Sequence, residues 1–314
     1  MSEKNIGKVL ITGGAGFIGS HIAEELVKKG AEVLVIDDLS AGKMENIRHL
    51  WMKRNFKFIQ GDVRDEKLLL ENLKNVDLIF HEAALTYVAE SIDFPKDYHD
   101  VNVNGTLNLL EAARRTEVKK IIFASSSSVY EDAPERLTED AHINPQSPYA
   151  LTKLIAEKYC LLYNEVYGLE TVILRYFNVY GPRQRPTGAY AEVIPKFIWR
   201  VKRGLPPEIY GDGEQSRDFV HVEDVVQANI LAATNNAVSG EIFNIGSGKA
   251  TTINSLAFTI IQLLGVKDLK PIYTRERKGD VRHNCADISK AISQLKYRPK
   301  ISVEAGLRDL INRI

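Results

Sequence analysis

Short apolar runs rich in β-branched residues recur through the first 176 residues of the chain, and longer amphipathic stretches separate them. Runs of this kind, bounded by glycine or polar residues, predict buried strands. Strands that alternate with helices are typical of an α/β fold, in which helices cover both faces of a parallel sheet. The pattern predicts six strands, at residues 8–12, 31–37, 56–60, 77–81, 119–125 and 171–176.

Three of the intervening stretches predict helices, at residues 20–29, 107–116 and 149–167. The second and third have broad apolar faces, which we expect to pack on the sheet. On the longest of these helices the apolar face includes Leu151, Leu154, Ile155, Tyr159, Leu162 and Val166.

After residue 176 the pattern becomes irregular and rich in Pro, Gly and Arg. A chain of 314 residues can bury a large core and is long for one simple domain. We therefore expect a large domain over residues 1–176 and a smaller capping domain over 177–314, with short segments that return to the main sheet. The capping domain would be built mainly from residues 182–207 and 250–314.

Composition excludes several classes of protein. The 41 Lys and Arg residues balance 41 Asp and Glu residues, which argues against binding to nucleic acid or to a membrane surface. Cys160 and Cys285 are the two cysteines, and their separation excludes a disulfide framework and a Cys-x-x-Cys metal site. Because residues 1–8 are polar and no long apolar window follows, we expect a soluble cytoplasmic protein without a signal peptide.

A glycine motif at residues 13–19 (GGAGFIG) follows the first strand and precedes the first helix. Glycines at 13, 16 and 19 would let the chain turn tightly and let backbone approach a pyrophosphate at the helix N-terminus. Alone, the motif could be an ordinary tight turn. However, the second strand ends at Asp37 and Asp38, where a carboxylate could bind both hydroxyls of an adenosine ribose and would repel a 2′-phosphate. The two features together predict NAD rather than NADP.

Tyr149 and Lys153 are four residues apart on a predicted helix, so they would share one face. A phenol ionises near pH 10 in water, and an adjacent ammonium plus the charge of oxidised nicotinamide would favour the phenolate, a general base. The fifth strand delivers Ser125 to Ser128 to the sheet edge where ligands bind, and one serine could contact a substrate hydroxyl. The alternatives are an exposed helix pair and a small polar turn.

These motifs resemble those of the extended short-chain dehydrogenase/reductases and, within that family, the UDP-sugar 4-epimerases. The resemblance implies a Rossmann-type doubly wound parallel sheet that binds NAD, a smaller α/β C-terminal domain that binds a nucleotide sugar, and a homodimer. It covers nearly the whole chain through further motifs at residues 61–65 (GDVRD), 81–84 (HEAA), 102–106 (NVNGT), 125–130 (SSSSVY), 175–183 (RYFNVYGPR), 211–213 (GDG), 217–224 (RDFVHVED) and 243–246 (FNIG).

The resemblance also implies roles for individual residues. Tyr149 would be the general acid/base, Lys153 its electrostatic partner and Ser126 the contact to the substrate hydroxyl. Cofactor contacts are implied for Gly13, Gly16, Phe17, Ile18, Gly19, Asp37, Asp38, Ser40, Gly42, Asp62, Val63, Ala83, Ala84, Thr86, Tyr149, Lys153 and Phe177. Contacts to the UDP-sugar are implied for Ser126, Tyr149, Asn178, Val193, Arg217, Arg277, Asp280, Arg282 and Asn284.

The implied activity is NAD-dependent epimerisation of a UDP-hexose at C4, mainly UDP-glucose and UDP-galactose, through a transient 4-keto sugar. Sugar-nucleotide 4,6-dehydratases usually carry an Asp-Glu pair where this chain has Ser127 and Ser128, so dehydration lacks its acid and base. UDP-N-acetylglucosamine and UDP-glucuronate stay open as substrates, as does decarboxylation. Asn284 is intermediate in size between residues that accompany plain and N-acetylated sugars.

Three further points stay open. Either Arg277 or Arg282 could clamp the diphosphate. Glu131 and Asp132 follow Tyr130, where the family usually has glycine, and this departure could alter the loop over the sugar. A regulator that binds NAD without catalysis is the alternative from another class, and the presence of Ser126, Tyr149 and Lys153 together argues against it.

Overall fold

The structure is a computed structural model that describes residues 6–185, 192–266, 268–276 and 281–313. Its strands are β1 (Lys8–Thr12), β2 (Glu32–Asp37), β3 (Phe56–Gln60), β4 (Leu78–His81), β5 (Lys120–Ser126), β6 (Glu170–Tyr176), β7 (Asn178–Tyr180), β8 (Glu208–Tyr210), β9 (Ser216–His221), β10 (Ile242–Ile245), β11 (Ala250–Thr252), β12 (Ile272–Thr274) and β13 (His283–Asn284). Its helices are α1 (Phe17–Lys28), α2 (Glu66–Asn72), α3 (Val88–Asp93), α4 (Pro95–His99), α5 (Gly105–Arg115), α6 (Pro148–Tyr167), α7 (Val193–Val201), α8 (Val222–Thr234), α9 (Ile253–Leu263) and α10 (Val303–Arg313).

The main sheet has seven strands in the order β10-β6-β5-β4-β1-β2-β3, and every neighbouring pair is parallel. This confirms the predicted α/β fold with a Rossmann-type doubly wound sheet. The six predicted strands correspond to β1–β6 with bounds that differ by at most one residue. The seventh strand, β10, comes from the second half of the chain and pairs with β6.

Helix α1 begins at Phe17, three residues earlier than the prediction of residue 20. Gly16 precedes the helix in an extended conformation, and Gly19 lies within its first turn. A Cβ atom at Gly19 would be only 2.4 Å from the carbonyl oxygen of Gly13. The helix can therefore begin against the glycine turn because residue 19 has no side chain.

Apolar cores lie on both faces of the main sheet. On one face, side chains such as Val9, Val33 and Phe80 pack with Ile22 of α1 and Val225 of α8. The other core packs α5 and α6 on the sheet through residues that include Leu10, Ile79, Leu109, Ala156 and Cys160. Helix α8 and strand β10 therefore complete the large body, although both follow residue 176.

A third core joins α7, α9 and α10 in the smaller body, with residues such as Phe197, Leu256 and Leu307. Beside it, β9 pairs with β7, β11 and β13, and β8 pairs with β12. Strand β7 follows β6 after one residue, Phe177, so the smaller body begins at the C-terminal edge of the main sheet. Within the described ranges, no helix has the length and apolar character needed to cross a bilayer.

Candidate active site

A cavity of about 1050 Å³ opens at the C-terminal ends of the main-sheet strands, and residues from both bodies line it. Every residue predicted to contact the cofactor lies on its wall. So do six residues predicted to contact the sugar nucleotide: Ser126, Tyr149, Asn178, Val193, Arg217 and Asn284. The predicted contacts Arg277 and Asp280 lie outside the described residues.

The glycine loop lines the cavity and packs closely against the end of β4. Gly13 has a φ of +68°, in the left-handed region that favours glycine. A Cβ atom there would lie 2.6 Å from the backbone nitrogen of Ala83 at the end of β4. The loop and the β4 end therefore approach each other closely, and the N-terminus of α1 faces the same cavity. A phosphate-bearing ligand fits such a loop, because helix N-termini attract anions.

The two carboxylates after β2 also lie on the cavity wall. Asp37 is 6% exposed and accepts hydrogen bonds from the backbone nitrogens of Ala15 (2.9 Å) and Leu39 (2.8 Å). Burial raises the pKa of Asp37, and these backbone donors oppose the change. Asp38 holds Ser40 through its Oδ1 atom. Together with the glycine loop, the Asp37 carboxylate fits an adenosine ribose and its pyrophosphate, so the residues present fit NAD.

Ser126 and Tyr149 both line the cavity. Tyr149 lies on α6 and is 8% exposed, and its phenol approaches the side chain of Ser126 at the end of β5. Burial raises the pKa of Tyr149 to about 12, while the Ser126 side chain lowers it and the Glu192 carboxylate raises it. The raised pKa of Tyr149 is opposite to the lowering that we expected from Lys153. Activation of Tyr149 by Lys153 therefore stays a prediction for the complex with oxidised nicotinamide.

Lys153 is 4% exposed and lies one helical turn after Tyr149. Its ammonium donates a hydrogen bond to the carbonyl oxygen of Ala124 (2.9 Å) and lies 5.1 Å from the ring centroid of Phe123. Burial lowers the pKa of Lys153 to about 8, and the carboxylate of Glu82 is the first group that opposes this change. The lysine is thus fixed at the end of β5, beside the strand that carries Ser126.

A buried ion pair supports this arrangement from behind. Arg175 and Glu157 form two hydrogen bonds, of 2.9 and 2.7 Å, and both side chains are 1% exposed. Glu157 also accepts from the hydroxyl of Ser125, the neighbour of Ser126. Since Glu157 lies one turn after Lys153 on α6, the pair connects the catalytic helix to β5 and β6.

On the cavity wall, Asn178 donates to Oδ1 of Asn284 (3.2 Å), and the Ser127 hydroxyl lies 3.4 Å from the same oxygen. These three small polar side chains bring together β7, β13 and the segment after β5. The sequence predicted Asn178 and Asn284 as substrate contacts, whereas Ser127 was noted only because no acid stands at its position.

Arg282 is placed differently from the other described substrate candidates. Its guanidinium forms two hydrogen bonds of 2.8 Å with Asp212, is 44% exposed, and is not among the side chains on the cavity wall. Its backbone nitrogen and that of His283 donate to the Asp132 carboxylate, at 2.6 and 2.8 Å. Asp132, which lies where the sequence departs from the family after Tyr130, therefore fixes the start of β13 through its carboxylate.

Several residues on the cavity wall were not predicted from the sequence. Glu82 accepts a hydrogen bond from the Tyr176 hydroxyl (2.8 Å), and both belong to motifs quoted above without a role. Arg64 pairs with Asp62, with a shortest distance of 2.6 Å. Lys196 pairs with Glu208 (3.2 Å). Glu82 and Lys196 were missed because each depends on a partner from another strand or turn, whereas Arg64 belongs to a quoted motif to which no role was assigned for it.

A parallel sheet that binds a dinucleotide at its glycine loop, with a serine, a tyrosine and a lysine beside it, defines an enzyme of nicotinamide chemistry on a hydroxyl group. Comparison with protein-family models agrees, since residues 9–246 match the NAD dependent epimerase/dehydratase family. The chain belongs to this family. The resemblance to extended short-chain dehydrogenase/reductases and the predicted cofactor NAD are confirmed at this level.

Related proteins carry different substrate names. The chain is 40% identical to a solved UDP-glucose 4-epimerase of Thermotoga maritima, with 97% of each chain covered and a TM-score of 0.91. It is 42% identical to a solved UDP-N-acetylglucosamine 4-epimerase of Methanobrevibacter ruminantium, with 99% and 98% covered and a TM-score of 0.92. It is also 38% identical to a UDP-glucuronate 4-epimerase of Thermodesulfobacterium geofontis, with 98% and 96% covered.

Proposed function

We propose that this protein epimerises a UDP-hexose at C4, with UDP-glucose and UDP-galactose as the main pair. The observation that carries the proposal is the placement of Ser126 and Tyr149 on the wall of one cavity, with Lys153 fixed one turn away. Bound NAD would supply the acceptor and donor of the C4 hydride. The protein's own groups must then hold the sugar hydroxyl and move its proton.

In the proposed mechanism, the Ser126 hydroxyl holds the sugar 4-hydroxyl, and the Tyr149 phenolate takes its proton as the 4-keto sugar forms. The Lys153 ammonium stabilises that phenolate. The keto sugar then turns and presents its other face, and Tyr149 returns the proton when C4 is reduced. Because oxidation and reduction occur within one cycle, the reaction has no net redox change.

This cycle requires a firm hold on the nucleotide and a loose hold on the sugar. We propose that the sugar lies at the end of the cavity that is bordered by the small polar side chains of Ser127, Asn178 and Asn284, which we call the sugar end. Arg217, whose guanidinium donates to the carbonyl oxygen of Ser216 (2.9 Å), lies on the same cavity wall, and we propose that it binds the diphosphate. Arg277 and Arg282 remain proposals for the second arginine of that contact.

Dehydration of a nucleotide sugar is a less well supported function for the same cavity. It needs an acid and a base near C5 and C6, but the two residues after Ser126 are Ser127 and Ser128, and both line the wall. Serine hydroxyls neither donate nor accept protons readily at neutral pH. The best alternative is epimerisation of UDP-N-acetylglucosamine, whose N-acetyl group would also fit beside the medium-sized Asn284 side chain.

The test is to incubate purified protein with UDP-galactose, without added reductant, and to follow UDP-glucose by chromatography. UDP-N-acetylglucosamine, UDP-glucuronate and dTDP-glucose are run in parallel. Interconversion at C4 without accumulation of NADH supports the proposal and ranks the sugars. Loss of water or carbon dioxide would assign a sister activity, and no turnover of any sugar would support the regulator.

A matched variant links the activity to the site. Tyr149→Phe should abolish turnover while NAD remains bound, because only the proton-transferring hydroxyl is lost. Tyr159→Phe, on the same helix, is the control and should keep full activity. Near-normal turnover in Tyr149→Phe would remove Tyr149 from the mechanism.

We also propose that the enzyme is a cytoplasmic homodimer. Three apolar side chains of α6 are about half exposed: Leu151 (47%), Leu162 (48%) and Val166 (58%). A second copy could cover such a face. Light scattering of the wild type and of Leu162→Glu checks this, since a monomeric wild type would contradict it.

A further inference from the structure

Glu82 is an acidic residue on the cavity wall to which the proposed mechanism assigns no role. It comes directly after β4, and its backbone nitrogen donates to the carbonyl oxygen of Thr12 (3.1 Å) at the end of β1. Its neighbours in the chain, Ala83 and Ala84, also line the cavity. The backbone therefore fixes this carboxylate among the predicted cofactor contacts.

The carboxylate is held in place by a hydrogen-bond chain. The Tyr176 hydroxyl donates to Oε1 of Glu82 (2.8 Å), and Asn229 of α8 in turn donates to that hydroxyl through its Nδ2 atom (2.8 Å). Tyr176 is the last residue of β6, and it pairs in register with Ser126 of β5. The chain thus joins the ends of β4 and β6 across the end of β5, where Ser126 lies.

The Lys153 ammonium approaches the same strand ends from the other face of the sheet. It lies on the carbonyl oxygen of Ala124 in β5, whereas the Tyr176 side chain packs in the core that contains α1 and α8. Burial raises the pKa of Glu82 to about 7, and the Tyr176 hydroxyl and the Lys153 ammonium oppose this change because they stabilise the carboxylate. A buried ammonium is costly unless an opposite charge compensates it, and the ionised form of Glu82 supplies that charge.

We propose that Glu82 is a charge-positioning residue: its carboxylate, held by Tyr176, compensates Lys153 and makes the cavity favour oxidised over reduced nicotinamide. The inference rests on the proposed function, in which the nicotinamide must react beside Tyr149. Oxidised nicotinamide carries one more positive charge than the reduced ring, so a fixed carboxylate nearby stabilises it selectively. This preference suits an enzyme that must begin every cycle with the oxidised cofactor.

The test measures cofactor preference and needs no sugar. Purified protein is equilibrated with an equal mixture of NAD and NADH, and the bound ratio is read from the fluorescence of retained NADH against total nucleotide. Glu82→Gln keeps the shape and removes the charge. At a pH above the pKa of Glu82, we expect the bound NADH:NAD ratio to rise by about tenfold or more, because a unit charge within about 10 Å contributes at least that much at an effective dielectric constant of about 20.

Two further variants complete the design. Tyr176→Phe removes the donor that stabilises the carboxylate, so the ratio should rise in the same direction by a smaller factor. Glu71→Gln removes an exposed acid of α2 and should leave the ratio unchanged. If circular dichroism shows that Glu82→Gln does not fold, the bound NADH:NAD ratio of Tyr176→Phe is used as the test instead.

The outcomes separate this inference from the proposed function. A ratio in the folded Glu82→Gln protein within a factor of about two of the wild type overturns the role of Glu82, whatever the enzyme does to sugars. A changed ratio in a protein that turns over no nucleotide sugar supports the electrostatic role and overturns the epimerase. Failure of both measurements would remove both proposals.

Discussion

The Lys153 ammonium donates its hydrogen bond to the carbonyl oxygen of Ala124 in β5. This contact fixes a positive charge beside the strand that carries Ser126, one helical turn from Tyr149. Since burial raises the pKa of Tyr149 to about 12, the phenol needs a nearby cation to act as a base at neutral pH. We propose that Lys153 supplies that charge when the cofactor is bound.

Replacement of this cation should reduce turnover strongly. We expect Lys153→Met to lower kcat for the preferred UDP-sugar by about 10² to 10⁴, the usual contribution of general acid–base catalysis. Lys158→Met, an exposed position on the same helix, is the matched control. Steady-state kinetics check the prediction, and a Lys153→Met enzyme with more than about a tenth of wild-type kcat would contradict it.

Asn284 should control acceptance of an N-acetyl group. Asn284→Tyr places a bulky ring at the sugar end of the cavity, so kcat/KM for UDP-N-acetylglucosamine should fall by at least about tenfold while that for UDP-glucose changes little. Asn284→Ser keeps a hydrogen-bonding group without bulk and should retain both substrates. An equal loss of both in Asn284→Tyr would show a general disturbance of the site instead.

The buried ion pair between Arg175 and Glu157 should be important for stability. Arg175→Met leaves the Glu157 carboxylate buried and uncompensated, which should lower the free energy of unfolding by about 3–5 kcal/mol. Arg175→Met combined with Glu157→Met should cost less than the sum of the two single changes, because no charge remains. Urea unfolding measures each value.

An exposed pair provides the comparison. Arg308 and Glu304 lie four residues apart on α10, with side chains 62% and 65% exposed, so Arg308→Met should cost at most about 1 kcal/mol. If Arg175→Met were equally mild, the buried pair would have no special role in the stability of the catalytic helix.

The protonation of His81 should make the protein less stable in acid. Thr106 donates to the carbonyl oxygen of Asn102 (2.6 Å), so its hydroxyl accepts from Nε2–H of His81 (2.9 Å). Nδ1 of the ring then accepts from Thr12 (2.7 Å), which selects the neutral imidazole. Burial and, to a smaller extent, the Lys153 ammonium lower the pKa of His81 to about 3.

The sign of the effect follows from linkage. In the unfolded chain His81 takes up a proton near pH 6.5, whereas the folded protein does so only near pH 3. The stability contribution of the neutral ring is therefore present above pH 6.5 and is lost as the pH falls toward 3. His81→Gln should show a shallower loss of unfolding free energy between about pH 7 and pH 5 than the wild type, whereas the exposed His142→Gln should not. Equal slopes in all three proteins would contradict the prediction.

Much of the large body could be predicted from the sequence because its signals are local. The apolar runs of β1–β6 are bounded by turn residues, so their bounds were predicted within one residue. The start of α1 was predicted too late because Gly19, a poor helix former, lies inside the first turn and is needed there for close packing against Gly13.

The placement of the predicted cofactor contacts on the cavity wall could be anticipated as well, since most of them end or follow a strand at a motif and the other two, Tyr149 and Lys153, share a motif on α6. The rest depends on contacts between distant parts of the chain. The placement of Arg282 depends on Asp212 and Asp132, and the role inferred for Glu82 depends on Tyr176, which is 94 residues away. Such pairings depend on the tertiary fold, and no periodicity or propensity predicts them.

The contact between Asn178 and Asn284 joins residues that are 106 positions apart. During synthesis, the cofactor-binding wall and the last strand of the main sheet, Ile242–Ile245, leave the ribosome before β13 exists. The order of synthesis therefore supplies every residue predicted to contact the cofactor before the residue that closes the Asn178–Asn284 contact. A chain that ended before β13 would also lack Ala291, Leu295 and Tyr297, which are buried in the core on one face of the main sheet, so the last part of the chain completes both bodies at once.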